Sequence, residues 1–347
     1  MAARVKFKEI IREPGVKERW ERIRKFFFLR ESTYDMTHRC NLTCEGCYYY
    51  EGDKQHAVDN ASADDWRALM EAEKARGITF VVLAGAEPSL VPELLQTCYD
   101  VMPLGCIATN GIKKIPEPVG YKIHISVWGN EASSKRIRGA ECLPTQLQNY
   151  AADPRAVFIY TFTGANLEEA LDVVPRICEA GGKVSFNQFS ATVGYDGPLR
   201  LDAEQRLRMR TIMAYLLRRY PDNVLYSGYN IEVHSSDKSL HQEFGCPYPR
   251  CSPEAKVGLG HTFRQYRSDL TWDKSAACCV PDTDCADCRH YAAGSAVVTS
   301  KLFRHSSDRH SFKNWLDYVD TYLAVWVTGY DKGENLLPVP EELREAR

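Results

Sequence analysis

No apolar run in this 347-residue chain approaches the roughly 20 residues needed to cross a bilayer, so no transmembrane segment is expected. A surplus of charge of either sign is also missing. Lys and Arg number 44 against 46 Asp and Glu, a net charge of −2, which gives no electrostatic reason to expect nucleic acid as a partner. Met1 to Arg30 is amphipathic and charged, with neither a hydrophobic export core nor a cleavage site. Its Phe26-Phe27-Phe28-Leu29 run reads as a docking strand or helix end rather than a membrane anchor. The 13 cysteines are an odd number without an export signal, which argues against a disulfide framework. A reducing, cytoplasmic setting with thiolates on metal accounts for them better. Hydrophobic content of 44% and charged content of 26% are ordinary for a globular chain with a substantial core.

What is present is a repeated strand–helix pattern. Residues 1–31 read as a helical N-terminal extension interrupted at Pro14. Ser32 to Met36 is the first expected strand. Ser62 with Asp65 signals a helix start, and Trp66, Leu69 and Met70 give that helix one apolar stripe to about Arg76. Gly77 to Ala84 is a buried-strand run, Pro92 to Val101 a helix, and Cys106 to Thr109 a short strand. Lys122 to Val127 alternates, with Lys122, His124 and Ser126 on one face. Val157 to Phe162 and Lys183 to Phe189 flank a helix over Leu167 to Ala180, and a capped helix begins at Asp202. Such alternation predicts an α/β fold, a partial (βα)6 barrel with parallel strands, right-handed crossovers and helices outside. The expected organisation is that extension, a barrel over 32–220, a cysteine-rich region over 221–310, and a closing helix with a loose tail over 311–347. On the closing helix Phe312, Trp315, Leu316, Val319 and Tyr322 share a face.

The chemistry concentrates in Asp35-Met-Thr-His-Arg-Cys40-Asn-Leu-Thr-Cys44-Glu-Gly-Cys47. Three thiolates at C-x3-C-x2-C spacing can converge on one inorganic centre. On a four-iron cluster they leave one iron open to a further ligand. A structural zinc completed by a distant residue is the competing reading. Four segments then fall in order at the carboxyl ends of expected strands, where parallel α/β folds open their sites: this cysteine loop, Ala84-Gly85-Ala86-Glu87-Pro88, Ala108-Thr109-Asn110-Gly111, and Ile125-Ser126-Val127-Trp128-Gly129.

The set resembles the radical S-adenosylmethionine (SAM) superfamily over about residues 30 to 200. The last three segments are similar to its GGEP, TNG and fourth-strand motifs. Two departures stand out. Gly46 occupies a position that is often aromatic, a departure resembling adenosylhopane-synthase-like members, which also tend to have glycine there, and Ala86 replaces a usual glycine. The resemblance implies a SAM-binding 4Fe–4S cluster on Cys40, Cys44 and Cys47. It further implies backbone around Gly85, Ala86 and Glu87 at the SAM amino group, and Asn110 and Ser126 near the ribose. A cation at the carboxylate is also implied, with Arg136 the first choice and Arg138 and Lys135 its rivals. Ser126 facing inward would carry His124 inward as a substrate contact or a hydrogen-bonded core histidine. Tyr48 is a candidate for the cavity wall or for packing the loop.

The segment after Tyr220 carries Cys246, Cys251, Cys278, Cys279, Cys285 and Cys288, six cysteines within 43 positions that include a CxxC pair. The resemblance implies a SPASM- or twitch-like extension with an auxiliary 4Fe–4S cluster. Cys246, Cys279, Cys285 and Cys288 are the favoured ligands, Cys251 and Cys278 their competitors, and zinc the alternative. Cys251 is also a candidate hydrogen-atom donor to a substrate radical. Cys98, Cys106, Cys142 and Cys178 read as small buried apolar residues. The activity implied is reductive SAM cleavage and hydrogen abstraction from a peptide, sugar or lipid, fed by a low-potential donor such as flavodoxin or ferredoxin. Oxidation, dehydrogenation or cross-linking would follow with an auxiliary cluster. Epimerisation, elimination or adenosyl addition would follow without one. A non-catalytic zinc module is the opposing class, and no separate cobalamin-binding domain is visible.

Overall fold

A computed structural model describes residues 7–47, 49–50, 58–236, 238, 264–272, 288 and 308–339. Seven strands form one sheet in the order β6-β5-β4-β3-β2-β1-β7, every neighbouring pair parallel. The strands are β1 Glu31–Asp35, β2 Phe80–Ala84, β3 Gly105–Thr109, β4 Lys122–Val127, β5 Ala156–Phe162, β6 Val184–Gln188 and β7 Gln265–Tyr266. The first six fall where the sequence pattern places them. The seventh, two residues long, comes from the segment read as a cysteine-rich module and pairs with Thr33 and Tyr34 of β1.

Helices α1 Phe7–Ile10 and α2 Val16–Ile23 precede the sheet, with Pro14 between them. The crossovers are α3 Ala63–Ala75, α4 Pro92–Val101, α5 Glu131–Arg138, α6 Cys142–Tyr150, α7 Ala170–Glu179 and α8 Ala203–Arg219. Then come α9 Gly228–Ser235 and α10 Arg309–Trp326. Local chemistry sets the helix starts. Ser62 and Asp65 form a capping box on α3, as do Asp202 and Gln205 on α8.

Alternation sends Tyr34, Val81, Leu83, Ile107, Ile123, Ile125, Phe158, Tyr160 and Phe162 into one core with Trp66, Leu95, Val173 and Met213 of the crossover helices. Phe80, Cys106, Val157 and Ile159 face the other way, into a core with Ile23, Trp315, Leu316, Val319 and Trp326. Helix α10 therefore covers the amino-terminal part of the inner sheet face. Towards the carboxyl ends of the central strands β2, β3 and β4 that same face carries the small residues Ala84, Ala108 and Ser126, so side-chain volume falls there. Cys98, Cys106, Cys142 and Cys178 are all buried, as expected of small apolar residues.

His124 does face inward, but α10 meets it there. Its Nε2 lies 2.8 Å from the Val325 carbonyl, and the Trp326 ring packs edge-on with centroids 5.0 Å apart. This corrects its candidacy as a substrate contact: it is a core histidine. Burial pushes its pKa down to about 4 against the Val325 hydrogen bond, with neighbouring Lys122 adding to the fall. The unfolded chain then binds the proton first, so stability is complete above pH 6.5 and drains away between 6.5 and about 4. Full loss is about 3 kcal/mol at most. Metal-free wild type should lose more melting temperature than His124→Gln between pH 7.5 and 5. Equal losses in calorimetry would contradict this.

Candidate active site

The cysteine loop leaves β1 and is held at both ends. Asp59 accepts hydrogen bonds from Thr37 Oγ1, from the His38 backbone N–H at 2.9 Å and from Arg39 Nε at 3.2 Å, and pairs with His38 Nδ1 at 2.7 Å. Burial pushes the Asp59 carboxyl up, but the hydrogen bonds from Thr37 and His38 outweigh it and hold it below the usual range. Tyr50 Oη donates to the His38 carbonyl at 3.1 Å, and the Tyr49 and Tyr50 rings meet edge-on, so these two aromatics pack the loop. Tyr48 lies outside the described residues.

On its far side the loop docks on the end of α5. Thr43 N–H donates to the Arg138 carbonyl at 3.3 Å and Glu45 N–H to the Ile137 carbonyl at 2.7 Å. Gly46, at φ +67°, has no room for a side chain. A Cβ there would come within 2.9 Å of Leu199 and 3.1 Å of the Phe189 ring. The aromatic surface missing before the last cysteine is thus supplied by Phe189, just beyond β6, which in turn meets Trp128 and Tyr195. Sequence reading missed Asp59, Phe189 and Leu199. The only signal for the latter pair was the glycine itself.

The next strand ends close around the loop. Gly85, at φ +111°, lies where a Cβ would meet Thr37 O at 2.9 Å and Met36 N at 3.0 Å, so its backbone runs against the start of the cysteine loop. Ala86 N–H donates to Thr37 O at 3.0 Å. Glu87, 1% exposed, accepts from Ser89 N at 2.9 Å, Thr109 Oγ1 at 2.6 Å and Asn110 N at 2.8 Å, tying the ends of β2 and β3 together. The Asn110 side chain turns to the loop, donating to Asn41 Oδ1 at 2.6 Å and towards Cys40 Sγ at 3.9 Å. Gln146 joins the ends of β3 and β4 by donating to the carbonyls of Asn110 at 2.7 Å and Ser126 at 2.9 Å.

No family model matches the chain. It is 23% identical over 198 residues to the sporulation killing factor maturation protein SkfB of Bacillus subtilis, covering 51% of this chain and 48% of that protein. Over 92 residues it is 33% identical to an S-adenosylmethionine-dependent nucleotide dehydratase of a Thermoplasmatales archaeon, 26% of this chain and 31% of that one. The fold matches that of Streptococcus suis SuiB bound to S-adenosylmethionine, with a TM-score of 0.50, 17% identity, 73% of this chain and 62% of that one covered. The motifs stand at the ends of consecutive parallel strands in the order the resemblance requires. These likenesses, the fold and the order of the motifs all agree with the radical SAM resemblance of the sequence. It spans less than half the length of the curated relatives it matches.

The residues present fit the cofactors of a radical SAM protein. Cys40, Cys44 and Cys47 are partly exposed and in no disulfide, and Cys40 Sγ receives the Leu42 N–H at 3.4 Å. Among the described residues no three His, Cys, Asp or Glu side chains close on a single metal ion. A cluster places each thiolate on a different iron and asks for wider spacing. The close approach at Gly85 sets the end of β2 against the start of the cysteine loop, with the Ala86 N–H spent on Thr37 O.

Arg136 does not take the place expected of it. It is exposed, its guanidinium 3.5 Å from the Ala165 carbonyl, and Lys135 is exposed beside Glu141. The phase of α5 buries Ser134, Ile137 and Arg138 instead. Arg138 turns inward, donating to the Ser126 carbonyl and lying against Cys44. Of the tail ligands, Cys288 is buried and described. Cys246, Cys251, Cys278, Cys279 and Cys285 lie outside the described residues.

Proposed function

We propose that this chain is a radical SAM enzyme that reductively cleaves S-adenosylmethionine and abstracts hydrogen from an unreactive carbon of a peptide. The observation that carries the reading is the convergence of the cysteine loop, the Gly85 cradle, Asn110 and Ser126 on one rim of a parallel sheet. A zinc scaffold would not need that rim. When bound, the cluster and SAM supply one-electron cleavage of the sulfonium to methionine and a 5′-deoxyadenosyl radical that takes the substrate hydrogen.

The protein's own part is to hold and to shield. Asp59 and the end of α5 fix the loop from two sides. Glu87 sets the positions of Thr109 and Asn110. Phe189, Leu199 and Trp128 form an apolar wall behind Gly46, next to the last cysteine. The small residues Ala84, Ala108 and Ser126 leave space on the inner face above His124.

A peptide substrate is favoured by the likeness to SkfB, named as the maturation protein of another gene product. A low-potential flavodoxin or ferredoxin is the proposed electron donor. The outcome depends on the tail. An auxiliary cluster on Cys246, Cys279, Cys285 and Cys288 would accept an electron and make the reaction oxidative. Without it the chemistry is redox-neutral, as is dehydration, the reaction named for the archaeal relative.

Anaerobic reconstitution with iron and sulfide, followed by SAM and dithionite, should give 5′-deoxyadenosine and methionine. Eight irons per chain would support the oxidative reading and four the redox-neutral one. Colourless protein that leaves SAM intact would rule out the enzyme altogether.

A further inference from the structure

Arg138 is 5% exposed, yet among the described residues no carboxylate forms an ion pair with it. Its guanidinium donates to a neutral group, the Ser126 carbonyl, and to the Cys44 thiol, and its Nε has no hydrogen-bond partner. The nearest groups able to carry negative charge are the thiols of Cys44 and Cys142, with Glu87 also contributing. A guanidinium taken out of water and left unpaired costs several kcal/mol, so such a residue is stable only where something negative completes it. Cys142 is buried in α6, where its sulfur already points at the Ala140 carbonyl. Cys44 is on the cysteine loop.

The fold fixes Arg138 to that loop rather than merely near it. Its own carbonyl and that of Ile137 accept the Thr43 and Glu45 N–H groups, so the backbone on both sides of Cys44 hangs from the last turn of α5. Gly139 follows in the left-handed region, at φ +82°, and a Cβ there would strike Thr43 Oγ1 at 2.8 Å. The helix therefore ends against the loop, with its cation turned towards the middle cysteine.

We propose that Arg138 is a positioning and charge-balancing residue that raises the reduction potential of the cluster through Cys44, independently of SAM. The inference rests on the cluster assignment made above. Reduction adds negative charge to a thiolate-ligated centre. A fixed cation a few ångströms away in a low-dielectric site stabilises the reduced form more than the oxidised one. Arg cannot release its proton to relieve the burial, so the charge is permanent.

The test is a potentiometric titration of the reconstituted wild type, R138Q, R138K and R136Q without SAM, followed by visible absorption and electron paramagnetic resonance. In R138Q the one-electron reduction equilibrium should fall tenfold or more, a drop of about 59 mV or beyond. R136Q, which removes the same charge from the exposed face of the same helix, should match wild type. If R138Q takes up no iron, R138K carries the measurement. Its shorter ammonium withdraws from the sulfur, and a smaller fall in the same direction is expected. A wild-type potential in whichever variant loads overturns the proposal, including the case where only SAM affinity weakens and Arg138 serves the SAM carboxylate. Wild type that binds no iron would sink the cluster assignment itself. Wild type that loads iron and cleaves SAM beside an unshifted variant would sink this inference alone.

Discussion

Cys40→Ala should leave a folded protein that holds almost no iron at the loop and produces no 5′-deoxyadenosine. On the proposed cluster each thiolate of the loop would be the sole protein ligand to its iron, so deleting one would leave two irons of four without a protein anchor. Even changes one shell out from a metal typically cost about 10–100-fold in affinity, so loss of a direct ligand should exceed a hundredfold. Folding should survive because the Cys40 sulfur is only partly buried and meets a single backbone N–H and the distant Asn110 amide. Metal-free Cys40→Ala should therefore melt within about 0.5 kcal/mol of metal-free wild type. Cys106→Ala supplies the contrast. That thiol is fully buried against α10, and its removal should lower stability while leaving iron and turnover in place. Iron content, the brown absorbance and product formation measured on the three proteins decide the matter. Retention of iron by Cys40→Ala would show that the metal sits elsewhere.

Sequence and structure agree where the physics is local. Short strand-like runs and the alternation of β4 located six strands, and the most apolar of them, such as β2, are hydrophobic along their length because a parallel strand is covered on both faces. The cysteine loop was legible for the same reason: its spacing is contained in eight residues. The strict alternation of Lys122 to Val127 gave the correct faces but not their neighbours. What covers His124 is Val325 and Trp326, some two hundred positions later, and no local period encodes that docking.

The choice between Arg136 and Arg138 turned on helix phase. Ser134 and Ile137 mark the buried stripe of α5, so Arg138 joins it and Arg136 points away. Asp59 was visible only as the end of a loop. Its four partners between Thr37 and Arg39 depend on the chain returning to β1 after the cysteines. The seventh strand, at two residues, is too short to carry any pattern.

Glu87→Ala should cost both stability and the site, though Glu87 is itself no ligand. Its carboxylate is the only acceptor given to Ser89 N–H, Thr109 Oγ1–H and Asn110 N–H, all buried. Each buried donor left unsatisfied costs about 1–3 kcal/mol, so the loss should reach several kcal/mol. For a chain of this size that is roughly 5–10 °C of melting temperature. Glu87→Gln should not rescue it. The carboxylate uses one oxygen for Ser89 and Thr109 and the other for Asn110, whereas an amide offers a single acceptor oxygen and turns an N–H towards a donor. The functional consequence follows through Asn110, whose backbone is pinned by Glu87 and whose side chain faces Asn41 and Cys40. Freed from that pin, the end of β3 should drift from the cysteine loop. The reconstituted variant should then bind SAM at least tenfold more weakly, while loading iron close to the wild-type level because the three cysteines and Asp59 are untouched. A Glu87→Ala protein that melts with wild type and binds SAM equally well would show that the two strand ends are held together by other contacts.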